Sequence, residues 1–245
     1  MRPSLLLATH GIEGAAGAAA QLARALARSR RFAAVAAGCH KGEPGLDASL
    51  DALPAGAVIV LPLLMAEGWT YAAIRRRLLG HRRAGEVRLA PPLGTHPGLA
   101  RLVAARALAL CARERWQPRA STLLLAGHGT HRHAGGSAAI RAMAGRLAAR
   151  HRFAAVRVGF LDEAPQLAAV AAALGPGPCV AVGCFVDNGP HGRDDVGTAL
   201  RSAAGPLAYA GAIGADAAVV PYLLERVRAA GPLAPPPAPA SLGSA

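Results

Sequence analysis

The sequence predicts an α/β protein made of two similar, doubly wound parallel-sheet domains related by internal duplication. Three observations predict it. Four short apolar runs alternate with helical stretches, the series occurs twice in the same order, and each series opens with a strand that runs into a His-Gly turn. Strands buried on both faces of a parallel sheet read as continuous apolar runs, with helices between them to cover the faces.

The first strand is Ser4-Leu5-Leu6-Leu7-Ala8-Thr9 before His10-Gly11, and it returns as Thr122-Leu123-Leu124-Leu125-Ala126-Gly127 before His128-Gly129. Alanine- and arginine-rich helical patterns follow over 17–30 and 137–150. The second strand lies in 32–38 and again in 153–159. Each copy leads to an acidic residue, a proline (Pro44, Pro165) and another helical stretch. Residues 58–64 and 179–185 supply the third strand, 87–94 and 207–214 the fourth, and closing helices fall near 97–113 and 216–230. Alanine-rich sequence can mimic one such match by chance, but not four in order. The halves are accordingly bounded at 1–116 and 117–231. A Pro/Ala-rich tail over 232–245 is expected to hang free, since its prolines cannot donate backbone hydrogen bonds.

Composition narrows the function classes. A chain of 245 residues accommodates two compact domains, and 53% hydrophobic residues with a mean hydropathy of +0.30 exclude a disordered chain. No apolar run is long enough to cross a bilayer, so no membrane partner is expected. Residues 1–7 are too short for a signal peptide because His10 and Glu13 interrupt the run, and a cytoplasmic protein is expected. The net charge of +13 favours an anionic partner. Nucleic acid is not expected, because the densest basic cluster (Arg75, Arg76, Arg77, Arg82, Arg83) has only Trp69 and Tyr71 as nearby aromatics. Lys41 is the single lysine among 27 basic residues, a bias that suggests GC-rich coding. The four cysteines form no CxxC and read as buried thiols.

Ligands of open α/β sheets bind beyond the carboxyl ends of the strands. His10 and His128 end the first strands, Asp162 and Glu163 follow the second strand of the C-terminal half, and His191 follows its third. Topology therefore brings His128, Asp162 or Glu163, and His191 to one edge. Such a set can ligate a divalent first-row metal, shuttle protons near neutral pH, or be ordinary polar loop residues. The N-terminal half differs: aligning Gly68 with Gly189 puts Thr70 opposite His191, so this half is expected to form the other wall of a cleft. His40, His131 and His133 are further candidate ligands.

The strand-His-Gly openings, the acidic residue after the second strand and the Gly-x-His-x-x-x-Asp stretch from Gly189 to Asp195 resemble the CbiX-type sirohydrochlorin chelatases. These are class II, ATP-independent tetrapyrrole chelatases, and the resemblance to their long two-domain form spans nearly all of 4–230. It implies a chelatase-like fold and insertion of Co²⁺ or Fe²⁺, or Ni²⁺, into sirohydrochlorin or its precorrin-2 form, for cobalamin or sirohaem. It implies no cofactor beyond the substrate metal ion. Carried over by position, His128, His191 and Glu163 become the catalytic residues, and His128, His191, Asp162 and His10 the metal ligands. Arg132 and Arg193, beside the two histidine turns, would bind the carboxylates of the macrocycle. Two departures stand out: Pro190 precedes the second histidine, and the N-terminal half lacks its own. A histidine-phosphatase-like reading needs an arginine just before the histidine, where Thr9 and Gly127 stand. The alternative function is a metal- or tetrapyrrole-binding carrier without turnover.

Overall fold

The leucine runs that open each half become the central strands of two sheets. The computed structural model describes residues 2–11, 17–130 and 136–234. The first half runs β1 (Ser4–Thr9), α1 (Gly17–Arg28), β2 (Val35–Cys39), α2 (Leu46–Asp51), β3 (Val58–Pro62), α3 (Trp69–Leu79), β4 (Val87–Leu89) and α4 (Leu99–Arg113). The second runs β5 (Thr122–Gly127), α5 (Ala138–Ala148), β6 (Ala155–Phe160), α6 (Leu167–Ala172), β7 (Cys179–Gly183), α7 (Val196–Leu200), β8 (Leu207–Ala212) and α8 (Val220–Arg228). A short β9 (Gly231–Pro232) follows.

The sheet orders are β2-β1-β3-β4-β9 and β6-β5-β7-β8, parallel throughout except for the antiparallel β4–β9 pair. In each half the chain leaves the first strand towards one edge and the third strand towards the other. The crevice at such a switch point lies between those two strands, at β1/β3 and β5/β7. Strand alternation divides the apolar residues into layers. Leu5 and Leu7 with Leu123 and Leu125 face one shared central core, while Leu6 and Leu124 face two outer cores under α2/α3 and α6/α7.

The central core holds an exchange that the repeat alone does not reveal. α4, the closing helix of the first half, packs on β7, β8 and α5 of the second; α8 packs on β3 and α1 of the first. An arginine marks each crossing. Arg106 of α4 donates to the Ala212 carbonyl at 3.1 Å, and Arg226 of α8 donates to Thr95 Oγ1 at 2.8 Å. Each sheet therefore has one face covered by a helix from the other half. Separating the halves would expose residues such as Leu102, Val103, Leu110 and Leu223, each worth about 1.5–3 kcal/mol when buried.

The start of the expected free tail is not free. Gly231 and Pro232 lie along β4, Leu233 packs on the outer core of the first half, and the Ala234 carbonyl accepts from Arg75 Nε at 2.8 Å. An edge position tolerates a proline that a central strand would exclude. The rest of that expected tail, 235–245, lies outside the described residues.

Candidate functional site

The switch point of the second sheet brings two imidazoles together. His128 leaves the end of β5 and His191 follows β7; their ring centroids are 4.7 Å apart with planes 78° to one another. Gly129, at φ +73°, turns the chain sharply after His128, and a Cβ there would lie 2.6 Å from the Glu163 side chain. The same requirement holds at Gly11, where φ is +93° and a Cβ would fall 1.6 Å from the Lys41 carbonyl oxygen. His191 stands at the start of one π-helical turn, His191–Asp195, that leads into α7. The turn before it is pinned to β8: Asn188 Oδ1 accepts from the Ala212 amide at 2.7 Å, and Tyr209 donates to the Gly192 carbonyl.

Hydrogen bonding fixes which ring nitrogens are available. His128 Nδ1 lies 3.0 Å from the Gly129 carbonyl and 3.4 Å from Asp162 Oδ2. His191 Nδ1 lies 2.7 Å from Asp195 Oδ2. A carbonyl and a carboxylate only accept, so each Nδ1 carries the proton and each neutral ring keeps its lone pair on Nε2. This is the arrangement that orients metal-ligating histidines. Both rings remain about half exposed, at 43% and 56% of the side chain. Among the described residues, no three His, Cys, Asp or Glu side chains converge to hold a metal ion. Among the described residues the site is therefore a pair of imidazoles.

The other residues singled out from the sequence fall in different places. Asp162 stands beside His128. Glu163 instead turns away from the histidine pair, accepting from Ser137 Oγ at 2.6 Å, Arg141 Nη2 at 3.0 Å and the Thr130 amide at 3.1 Å. Burial by itself would raise its pKa, but the bonds from Ser137, Arg141 and Thr130 outweigh it and hold the carboxyl below the usual range. Its three bonds tie together the strand ends and the start of α5. Arg193 is exposed and paired with its neighbour Asp194 at 3.0 Å. Arg132, His131 and His133 lie outside the described residues.

His10 lies across from the pair. Its Nδ1 is 3.2 Å from Thr70 Oγ1, so Thr70 meets His10 as His191 meets His128. Burial first, then the Lys41 ammonium and the imidazoles of His40, His128 and His191, hold its pKa below the usual histidine range. Two close approaches bring the halves together here. Gly17, at the start of α1, lies near the Asp187 carboxylate, and Gly136, before α5, lies near Gly68. His40 does not join the pair; its ring lies edge-on to Trp69 at 5.7 Å.

Sequence reasoning assigned no role to Asp195, although its i, i+4 spacing from His191 in the Gly189–Asp195 motif was the signal for it. It also passed over Lys41, whose place is visible only in the register. The Lys41 amide donates to the His10 carbonyl at 2.8 Å, as the Asp162 amide donates to that of His128. Lys41 thus occupies in the first half the position of Asp162 in the second. Cys179 and Cys184 offer no chemistry at the site: burial pushes both up to about 12, leaving inert thiols. No helix among the described residues is long and apolar enough to cross a membrane.

A cavity of about 570 Å³ between α5, α6 and β6, lined by Arg141, Val156 and Leu174, contains no histidine. A crevice of about 500 Å³ between the halves, lined by Glu67, Thr95, Ala138 and Arg146, contains none either. The histidine pair sits instead on open strand ends, as suits a large planar ligand.

Known proteins share this fold. A multi-domain protein from Deinococcus radiodurans, described as structurally similar to chelatases with two additional domains, superimposes with a TM-score of 0.75 at 29% identity. The match covers 92% of this chain but only 54% of the Deinococcus chain, so this chain spans about half of that protein's length. CbiX, described as the terminal enzyme of sirohaem biosynthesis in denitrifying bacteria, gives a TM-score of 0.71 at 27% identity over 93% of this chain and 99% of its own. SirB from Bacillus subtilis, solved with Fe³⁺, shares the fold with a TM-score of 0.74 at 16% identity, over 93% and 95% of the two chains. No curated protein matches the sequence. The CbiX family model matches twice, over residues 4–110 and 122–230, once for each strand-His-Gly half, and the chain belongs to the CbiX family.

Proposed function

We propose that this protein inserts a divalent metal ion, Co²⁺ or Fe²⁺, into sirohydrochlorin without ATP, as a step of cobalamin or sirohaem synthesis. The observation that carries the reading is the His128–His191 pair, with each Nδ1 bonded and each Nε2 directed to no partner among the described residues. It is supported by membership of the CbiX family and by the fold shared with SirB, which was solved with Fe³⁺ and with cobalt.

The geometry suits the task. Insertion requires an ion to be held, stripped of part of its water and released to the pyrrole nitrogens, while two N–H protons leave. Two neutral imidazoles bind a first-row divalent ion reversibly. Asp195 and Asp162 offset its charge through the rings they contact. His10, held neutral across the cleft, keeps a lone pair that can accept a proton. The ion is substrate here, and no resident cofactor is needed.

The test is a metallation assay on purified protein with sirohydrochlorin and Co²⁺, Fe²⁺ or Ni²⁺ in parallel, followed by the absorbance change of the macrocycle. Acceleration over the uncatalysed rate, lost in His191→Ala, is the expected result. Binding of metal and macrocycle with no acceleration would make the protein a carrier.

A further inference from the structure

The first half presents a different wall at the same strand ends, and its chemistry is that of an anion site. Lys41 stands at the register position of Asp162, with its amide on the His10 carbonyl just as that of Asp162 is on the His128 carbonyl. A carboxylate in one half is thus a cation in the other. The Lys41 ammonium lies 5.4 Å from the centre of the Trp69 ring, and it forms no ion pair with any described residue. Trp69 is itself half exposed at 49%, the one large hydrophobic side chain left open among the described residues. Trp69 begins α3 beside Thr70, whose hydroxyl meets His10, so indole, ammonium and imidazole share one strand-end surface.

An exposed indole next to an unpaired ammonium suits a ligand that is flat and aromatic in its middle and anionic at its edge. We propose that Lys41 and Trp69 form a docking wall for the macrocycle, Lys41 binding one of its side-chain carboxylates and Trp69 meeting the ring edge or face. This inference rests on the chelatase reading for the identity of the ligand, and it moves the carboxylate-binding role from Arg193 to the opposite half. The duplicated strand ends would then have divided the labour: the C-terminal pair takes the cation and the N-terminal pair the anion.

Equilibrium binding tests it apart from catalysis. Metal-free sirohydrochlorin is titrated into wild type, Lys41→Gln, Lys41→Arg and Trp69→Ala, followed by its fluorescence, and Co²⁺ is titrated calorimetrically into the same proteins. Loss of one charge-assisted contact predicts a sirohydrochlorin Kd raised about tenfold in Lys41→Gln, largely restored in Lys41→Arg and raised in Trp69→Ala. The Co²⁺ affinity should stay within about twofold, which also reports that the variants are folded. The Lys41→Gln penalty should shrink as salt is raised. Unchanged sirohydrochlorin affinity in Lys41→Gln overturns the inference even if the wild type metallates rapidly. A wild type that binds no sirohydrochlorin overturns it as well. A wild type that binds the macrocycle through Lys41 but does not accelerate metallation sinks only the chelatase reading.

Discussion

At the end of β1 the His10 imidazole meets the Thr70 hydroxyl, with Lys41 beside it; at the end of β5 the His128 imidazole meets that of His191, with Asp162 beside it. The turns after β1 and β5 match to the hydrogen bond, since His40 and Leu161 both donate to the carbonyl two residues before the turn glycine, on Thr9 and Gly127. Among the side chains that differ at matched positions, two set the charge of each wall: threonine for histidine and lysine for aspartate. Duplication supplied two copies of a strand-end site, and a difference at two positions separates a wall that can attract a cation from one that repels it.

The largest expected effect tests which wall holds the metal. His128→Ala or His191→Ala should lower Co²⁺ affinity on the order of 100-fold or more, read by calorimetry, because each removes one of two ligands. Thr70→Ala, the matched change in the other half, should leave it within about twofold. If His10→Ala costs as much as His191→Ala, the metal site has been assigned to the wrong half. Next in size is a gain. The double change Thr70→His with Lys41→Asp rebuilds the two imidazoles and the strand-end carboxylate of the C-terminal site around His10, without a counterpart of Asp195, and should raise Co²⁺ stoichiometry from one to two. Thr70→His alone should not, because the Lys41 ammonium opposes a cation beside His10.

Smaller again is Asp195→Asn. It keeps the shape of the contact to His191 but removes the carboxylate that fixes the Nδ1 proton and offsets the charge of the ion. Such orienting partners change metal affinity by about 10- to 100-fold, and the exposure of this pair, at 56% and 52%, sets the expectation near tenfold. A full-affinity Asn variant would show that the α7 turn itself, rather than the carboxylate, orients the ring.

The order of elements was legible because buried parallel strands must be apolar throughout, and Leu5-Leu6-Leu7 and Leu123-Leu124-Leu125 fill both faces of their sheets. The exchange of α4 and α8 was not legible, because a leucine-lined helix reads the same whichever sheet it covers. Nor was β9, since Gly-Pro carries no strand signal. At the site, strand topology was enough to bring His128 and His191 together. It was not enough for the carboxylates, whose direction depends on the loop. Asp162 and Glu163 are adjacent in sequence, yet one touches His128 and the other ties down Ser137 and Arg141. The charge reversal at Lys41 was hidden by Glu43, which supplies an acid before Pro44 but stands two residues past Lys41 and bonds the amide of Gly45.

The loop difference itself gives the smallest prediction. Glu163 has no counterpart in the first half, where Gly42 stands at the matched position with φ +100° and no atom of the described residues lies within 4 Å of the place a Cβ would take. One loop is braced through the side chain at this position; the other is held differently, by Arg77 on the His40 carbonyl at 3.1 Å. Glu163→Gln should therefore cost about 1–2 kcal/mol of stability at neutral pH, measured by urea unfolding, through weakened bonds to Ser137, Arg141 and Thr130. Because those bonds hold the folded pKa of Glu163 below its unfolded value, its contribution is present above the ordinary glutamate range and is lost as pH falls through the folded value. A protonated glutamic acid and a glutamine are nearly isosteric, so wild type and variant should converge in stability only once the pH has fallen through the folded pKa, under the ordinary glutamate range. A gap that stayed constant from neutral to acid pH would mean that shape, not charge, braces this loop, and the two halves would then differ less than their strand-end charges imply.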